Sequence, residues 1–221
     1  MTVRALALAA CLLGAPHHLL AQAVEPIARA TFEAPAPSAH QDSSAKAIAQ
    51  FVAGGAIGLA MHEGGHLLMA SIFGADPGVK RVSFGPVPFF AISHDDVTPP
   101  REYAISAAGF WVQHASNEWL LTRRKGLRHE HAPVAKGLFA FNVLASVAYA
   151  TAAFGTFGPY ERDTRAMADA LDVDEPWVGV MILAPAALDA WRYVKPESRW
   201  AAWTSRALKV GAVLIVVRAA H

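Results

Sequence analysis

Residues 48–73 read "IAQFVAGGAIGLAMHEGGHLLMASIF". A bilayer core needs about 20 apolar residues at about 1.5 Å rise each, so this run is long enough to cross with tilt to spare. Inside it stand His62, Glu63 and His66. Ionisable groups at such depth cost about 2.5–3.5 kcal/mol on insertion scales and mark functional sites. The histidines are one helical turn apart, so both imidazoles share a face. This is the H-E-x-x-H arrangement. Two imidazoles hold one Zn²⁺, and Glu63 serves as general base towards water that the metal activates. Gly64 and Gly65 each cost about 1 kcal/mol against Ala in a helix interior, which points to clearance for a neighbouring or substrate backbone. Gly54 and Gly58 form a G-x-x-x-G pair that lets another helix approach closely.

The rest of the chain fits a membrane protein. Of its 221 residues 54% are hydrophobic and only 17% charged, against about 25% charged in an average soluble domain. A net charge of +1 gives no general attraction to nucleic acid. Cys11 is the single cysteine, which excludes an intrachain disulfide and a cysteine-based zinc site. Residues 1–23 read as a signal peptide or N-terminal anchor. Arg4 supplies the positive region, Ala5–Ala15 the apolar one, and Ala21-Gln22-Ala23 a small-x-small cleavage site. Residues 24–47, with "EAPAPSAHQDSS", read as a linker, and 48–218 as one membrane domain.

Within that domain, 80–93 has the composition of a strand or hairpin. Residues 103–121, "YAISAAGFWVQHASNEWLL", carry Gln113, His114, Asn117 and Glu118, too polar for lipid and suited to a buried or re-entrant helix. Further spans are expected at 134–155, 177–193 and 200–217. The fold class is therefore all-α, a polytopic transmembrane bundle with a short β-like loop after the zinc-motif helix. If 103–121 dips in without crossing, the positive-inside rule gathers Lys80, Arg81, Arg101 and the "RRK" at 123–125 on the inner side. The acidic segment 160–176 then lies outside, and the helices carrying His62 and Asp189 run parallel.

A catalytic zinc needs a third protein ligand and an open position. No third histidine follows at the metzincin spacing, and Glu102 and Glu118 have unremarkable surroundings. Asp189, in the apolar "MILAPAALDAWRY", is the better candidate. The competing reading is an interface aspartate paired with Arg192. Asn117 and His114 read either as groups supporting the site or as ordinary buried polar residues. Asn142 reads as glue between helices, and His94, Asp95 and Asp96 as a solvated turn.

With "HEGGH" in a membrane helix followed by a β-like loop, the chain resembles the site-2 protease family of intramembrane zinc metalloproteases. That family carries H-E-x-G-H on one core helix and L-D-G, often after prolines, on a later one. "APAALDA" fills the second place with Pro185, Leu188 and Asp189, while Ala190 replaces the glycine. "SAAGFWVQ" stands for the family's A-G-P-x-x-N, with Phe110 for proline and Gln113 for asparagine. The resemblance covers roughly 48–194. It implies zinc ligands His62, His66 and Asp189, Glu63 as general base, and Gln113, with Asn117 nearby, as substrate-positioning groups. It also implies cleavage of membrane-embedded or membrane-proximal peptide bonds. The expected setting is a multi-pass protein of the bacterial cytoplasmic membrane, with the lipid bilayer and a membrane-protein or peptide substrate as partners. The alternative is a non-proteolytic, metal-binding membrane protein of the same fold. A secreted soluble zincin is disfavoured by the three further apolar spans.

Overall fold

The computed structural model describes residues 44–84 and 87–219. The targeting segment at 1–23 and the linker up to residue 43 lie outside the described residues. Six helices and one hairpin follow in order: α1 (Ser44–Phe73), β1 (Gly78–Phe84), β2 (Val87–Ser93), α2 (Pro99–Arg123), α3 (Pro133–Gly155), α4 (Asp163–Leu171), α5 (Glu175–Val194) and α6 (Arg199–Ala219). The helix expected from residue 48 already begins at Ser44, inside the expected linker.

Prolines open α2, α3 and α5, at first-turn positions where their missing N–H is not needed. Gly74, at φ 66°, ends α1 in the left-handed conformation that lacks a steric cost only for glycine. The chain then turns into the antiparallel β1–β2 hairpin, paired from Gly78↔Ser93 to Phe84↔Val87. Asp95 N–H donates to Ala75 C=O at 2.8 Å and closes the base of the hairpin.

Glycine sets the helix crossings. A β-carbon on Gly54 would overlap the backbone of Val134 and Leu138, and one on Gly137 would overlap Phe51. The G-x-x-x-G pair thus does what its spacing implies: α1 and α3 pack backbone to backbone and run parallel. Gly65 gives α2 the same access. A β-carbon there would lie 2.8 Å from Ala108 O. α2 runs antiparallel to α1, with Arg101 over the Phe73 ring (5.5 Å to its centroid) near the C-terminal end of α1. α5 runs antiparallel to α3. Gly179 abuts Phe154 at one end, and Tyr193 stacks on Phe139 at 4.9 Å towards the other.

Two expectations change here. α1 and α5 are antiparallel, not parallel. α2 also runs the depth of the bundle beside α1, so Lys80, Arg81 and Arg101 stand at one end and "RRK" at the other. Basic residues thus stand at both ends of the bundle rather than at one. Buried polar pairing explains why a helix so polar still runs through. Tyr103, Ile105, Phe110 and Leu120 of α2 are fully buried, as are Gln113 and Asn117. Asn142 of α3 donates to Asn117 Oδ1 at 2.9 Å and to Ser116 Oγ at 2.7 Å, the expected glue.

Among the described helices, α1 and α3 are long and apolar enough to cross a membrane. Only 11% of the most apolar stretch of α1 is buried by the protein, and Ile48, Val52, Leu68 and Ile72 face outward. The third and fourth expected spans, α5 and α6, do not reach that apolarity. Asp189 and Arg192 in α5, and Arg206 and Lys209 in α6, interrupt them.

Candidate metal centre

His62 and His66 project from the inward face of α1, 2% and 5% exposed. Their Nε2 atoms are 3.1 Å apart. His66 Nδ1–H donates to Ile105 C=O of α2 at 2.8 Å, which orients the ring and turns Nε2 towards His62 and Asp163. The His62 ring is held by Phe110 (5.1 Å, edge to face) and Tyr149 (5.7 Å). α2 comes this close because residue 109 is glycine. A β-carbon there would stand 2.5 Å from His66 Nε2 and 2.6 Å from two atoms of the His62 ring.

The third member, an acidic one, is Asp163, the first residue of α4. Its Oδ2 lies 3.3 Å from His62 Nε2 and 3.5 Å from His66 Nε2. Among the described residues these three form the one cluster able to hold a metal, with one donor atom from each lying within 4.8 Å of the others. Burial alone would raise the Asp163 carboxyl. The charge of His66 and hydrogen bonds from both histidines outweigh it and hold the carboxyl well below the usual range. The Tyr149 side chain also faces Asp163.

The set fits zinc. A tetrahedron with bonds of about 2.0–2.1 Å has edges of about 3.3–3.4 Å, and the three donor atoms form a triangle of 3.1, 3.3 and 3.5 Å. Two imidazoles and a carboxylate leave a fourth position, as catalytic zinc sites do.

Asp189, the expected third ligand, is elsewhere. It is fully buried. Its Oδ1 accepts from Ser205 at 2.7 Å, Lys209 at 2.8 Å and Arg192 at 3.2 Å. The reversed direction of α5 explains this. A residue late in α5 falls near the start of α3, whereas the histidines lie in the C-terminal half of α1. Arg192 is also bound to Glu118, which takes Arg206 at 2.8 Å. The competing interface reading of Asp189 is thus the one the contacts describe.

Glu63 is half-exposed and within electrostatic reach of His66 and Asp163. Gln113 is buried beside His62, close enough for its amide to act on the ring. Asn117, one turn further on, belongs to the pairing with Asn142. It lies about 12 Å along α2 from Gly109 at 1.5 Å per residue, too far to touch the centre.

Asp163 escaped sequence reasoning because it stands in a polar, acidic segment where a carboxylate costs nothing. Arg162 and Thr164 flank it in place of the Leu and Gly of the motif. Pro159 ahead of it and a helical period behind it were the available signals. A cleft of about 240 Å³ opens at the centre, lined by His66 and Asp163 together with Ser93, Glu102, Tyr160 and Arg165. His94, read as part of a solvated turn, lines it too and faces Glu102 at 3.5 Å. A shallower depression of about 440 Å³ over Asp169, Asp172 and Trp177 includes none of the three ligand candidates. No family model, curated protein or solved structure matches the chain.

Proposed function

We propose that this protein is an integral-membrane zinc endopeptidase that hydrolyses peptide bonds of membrane-embedded or membrane-proximal substrates, in the manner of the site-2 proteases it resembles. The observation that carries the reading is the triangle of His62, His66 and Asp163, at the spacing of one face of a zinc tetrahedron. It sits beside Glu63 on a helix able to cross a membrane. When bound, zinc supplies a Lewis acid that brings water towards a neutral pKa and polarises a carbonyl.

The chain's own residues do the rest. His62, His66 and Asp163 would hold the metal. The Ile105 carbonyl orients His66, and Phe110 and Tyr149 fix the His62 ring. Glu63 accepts the proton of the attacking water and returns it to the leaving amine. Gln113, buried against His62, would steady that ring, and its part in positioning substrate rests on the resemblance. The setting is a multi-pass bundle of the bacterial cytoplasmic membrane, with α1 and α3 facing lipid.

The test uses the purified chain, its zinc content and cleavage of a transmembrane peptide. Glu63→Gln keeps one zinc and loses at least about 100-fold in cleavage rate, the usual scale for a general base. Asp163→Asn loses zinc, whereas Asp189→Asn retains it. Undiminished cleavage by Glu63→Gln removes the mechanism. One zinc per chain without any Glu63-dependent cleavage points to the non-proteolytic alternative.

A further inference from the structure

The residues on either side of Asp163 are both tied to one carboxylate. Arg162 Nε donates to Glu175 Oε1 at 2.7 Å, and Arg162 Nη2 to Glu175 Oε2 at 2.5 Å. Thr164 Oγ1 donates to the same Oε1 at 2.6 Å. Arg162 Nη1 also donates to Pro159 C=O at 3.0 Å, which pins the turn leading into α4. The clasp is dry. The Arg162 and Glu175 side chains are 8% and 9% exposed, and Thr164 is fully buried.

Its location is what gives it a role. Asp163 opens α4 and Glu175 opens α5. α4 is only nine residues long, too short to be stable alone. A side chain that must meet two histidines on another helix needs its backbone held to a fraction of an ångström. A bidentate arginine–carboxylate pair supplies such geometric specificity, and the threonine bond fixes the other side of the same residue.

We propose that Glu175 is the positioning residue of the metal centre. Through Arg162 and Thr164 it clamps the backbone on both sides of Asp163 and so sets the third ligand against His62 and His66. This rests on the metal reading above. Glu175 itself touches neither metal nor substrate. Groups that orient a metal ligand without touching the metal typically change its affinity by about 10–100-fold.

The experiment is chelator competition for zinc on the full chain, with cobalt substituted in parallel to read ligand geometry from its visible spectrum. Glu175→Ala should weaken zinc about 10–100-fold and alter the cobalt bands, while Glu175→Gln recovers part of both. Thr164→Val, close in shape, removes one arm of the clasp and should give a smaller loss in the same direction. It also serves if Glu175→Ala does not fold. Asp163→Asn is the reference. If it loses zinc while Glu175→Ala and Thr164→Val keep wild-type affinity and cobalt spectra, Glu175 does not position the ligand and the metal reading stands. If Asp163→Asn also binds zinc as the wild type does, the metal reading fails and this inference falls with it.

Discussion

Gly109 shows how much a missing β-carbon can do. A methyl group there would lie 2.5 Å from His66 Nε2, inside the space the ligand atoms need. Gly109→Ala is therefore expected to displace the histidine pair and abolish tight zinc binding, although alanine favours the helix. Gly64 is the control, since nothing lies within 4 Å of a β-carbon there. Gly64→Ala should keep zinc and stabilise α1 by about 1 kcal/mol, read by zinc titration and thermal unfolding. The clearance inferred from the two adjacent glycines divides between them. Gly65 admits the α2 backbone, while Gly64 faces open space. At this scale the histidines and Glu63 were legible because a four-residue spacing in an apolar run is local information. Asp189 looked anomalous for the same local reason. Its compensation by Lys209 and Ser205 comes from α6, which no local pattern announces.

The short helix α4 is the element on which the site turns. Burial works against the Glu175 charge, but Arg162 and Thr164 outweigh it and lower its carboxyl below the ordinary 4.5. A carboxyl lowered on folding adds stability that is fully present above its unfolded pKa. That stability is lost as pH falls through the lower folded value. The share of α4 docking that the Glu175 clasp supplies, read as the difference in amide exchange along 163–171 between the metal-free wild type and Glu175→Gln, should thus be constant above about pH 5 and fall away in stronger acid. Zinc leaves earlier on acidification, because imidazole ligands must be unprotonated to bind it. The sequence announces the amphipathic period and polar character of this segment. It does not announce that the segment folds back over the histidines, since Asp163 and His62 are 101 residues apart and meet only once α3 has returned the chain to the C-terminal end of α1.

Across the whole molecule, the two ends differ in their balance of charge, while exposed tryptophans stand at both, Trp177 among the acidic residues. The connections after α2 and α5 carry Arg123, Lys125, Arg128, Lys195 and Arg199, with Trp200 and Trp203 61% and 65% exposed beside them. The hairpin, the cleft and the acidic 160–175 segment are gathered at the other end, where Lys80 meets Glu161 at 2.8 Å. α3 is 23 residues long, about 34 Å at 1.5 Å per residue, so the two ends stand about one bilayer apart. Single cysteines at Asp96→Cys and Gly126→Cys, on the two flanks of α2, in a Cys11→Ser background, should react with an impermeant maleimide from opposite sides of the membrane. Labelling from one side would restore the shallow dip of α2. Helix content and the apolar spans of α1 and α3 were readable from hydropathy. The direction in which α2 and α5 pass was not, because charge counts alone fit more than one path.

The separation of the metal-binding groups along the chain also sets an order of events during synthesis. His62 and His66 leave the ribosome on α1, long before α4 exists, and Asp163 cannot be clamped until Glu175 has followed it. On the proposed reading, a nascent chain offers a metal only two of its three protein ligands until the acidic segment and the start of α5 are made. A protease built this way would have its cutting power withheld from the half-made protein.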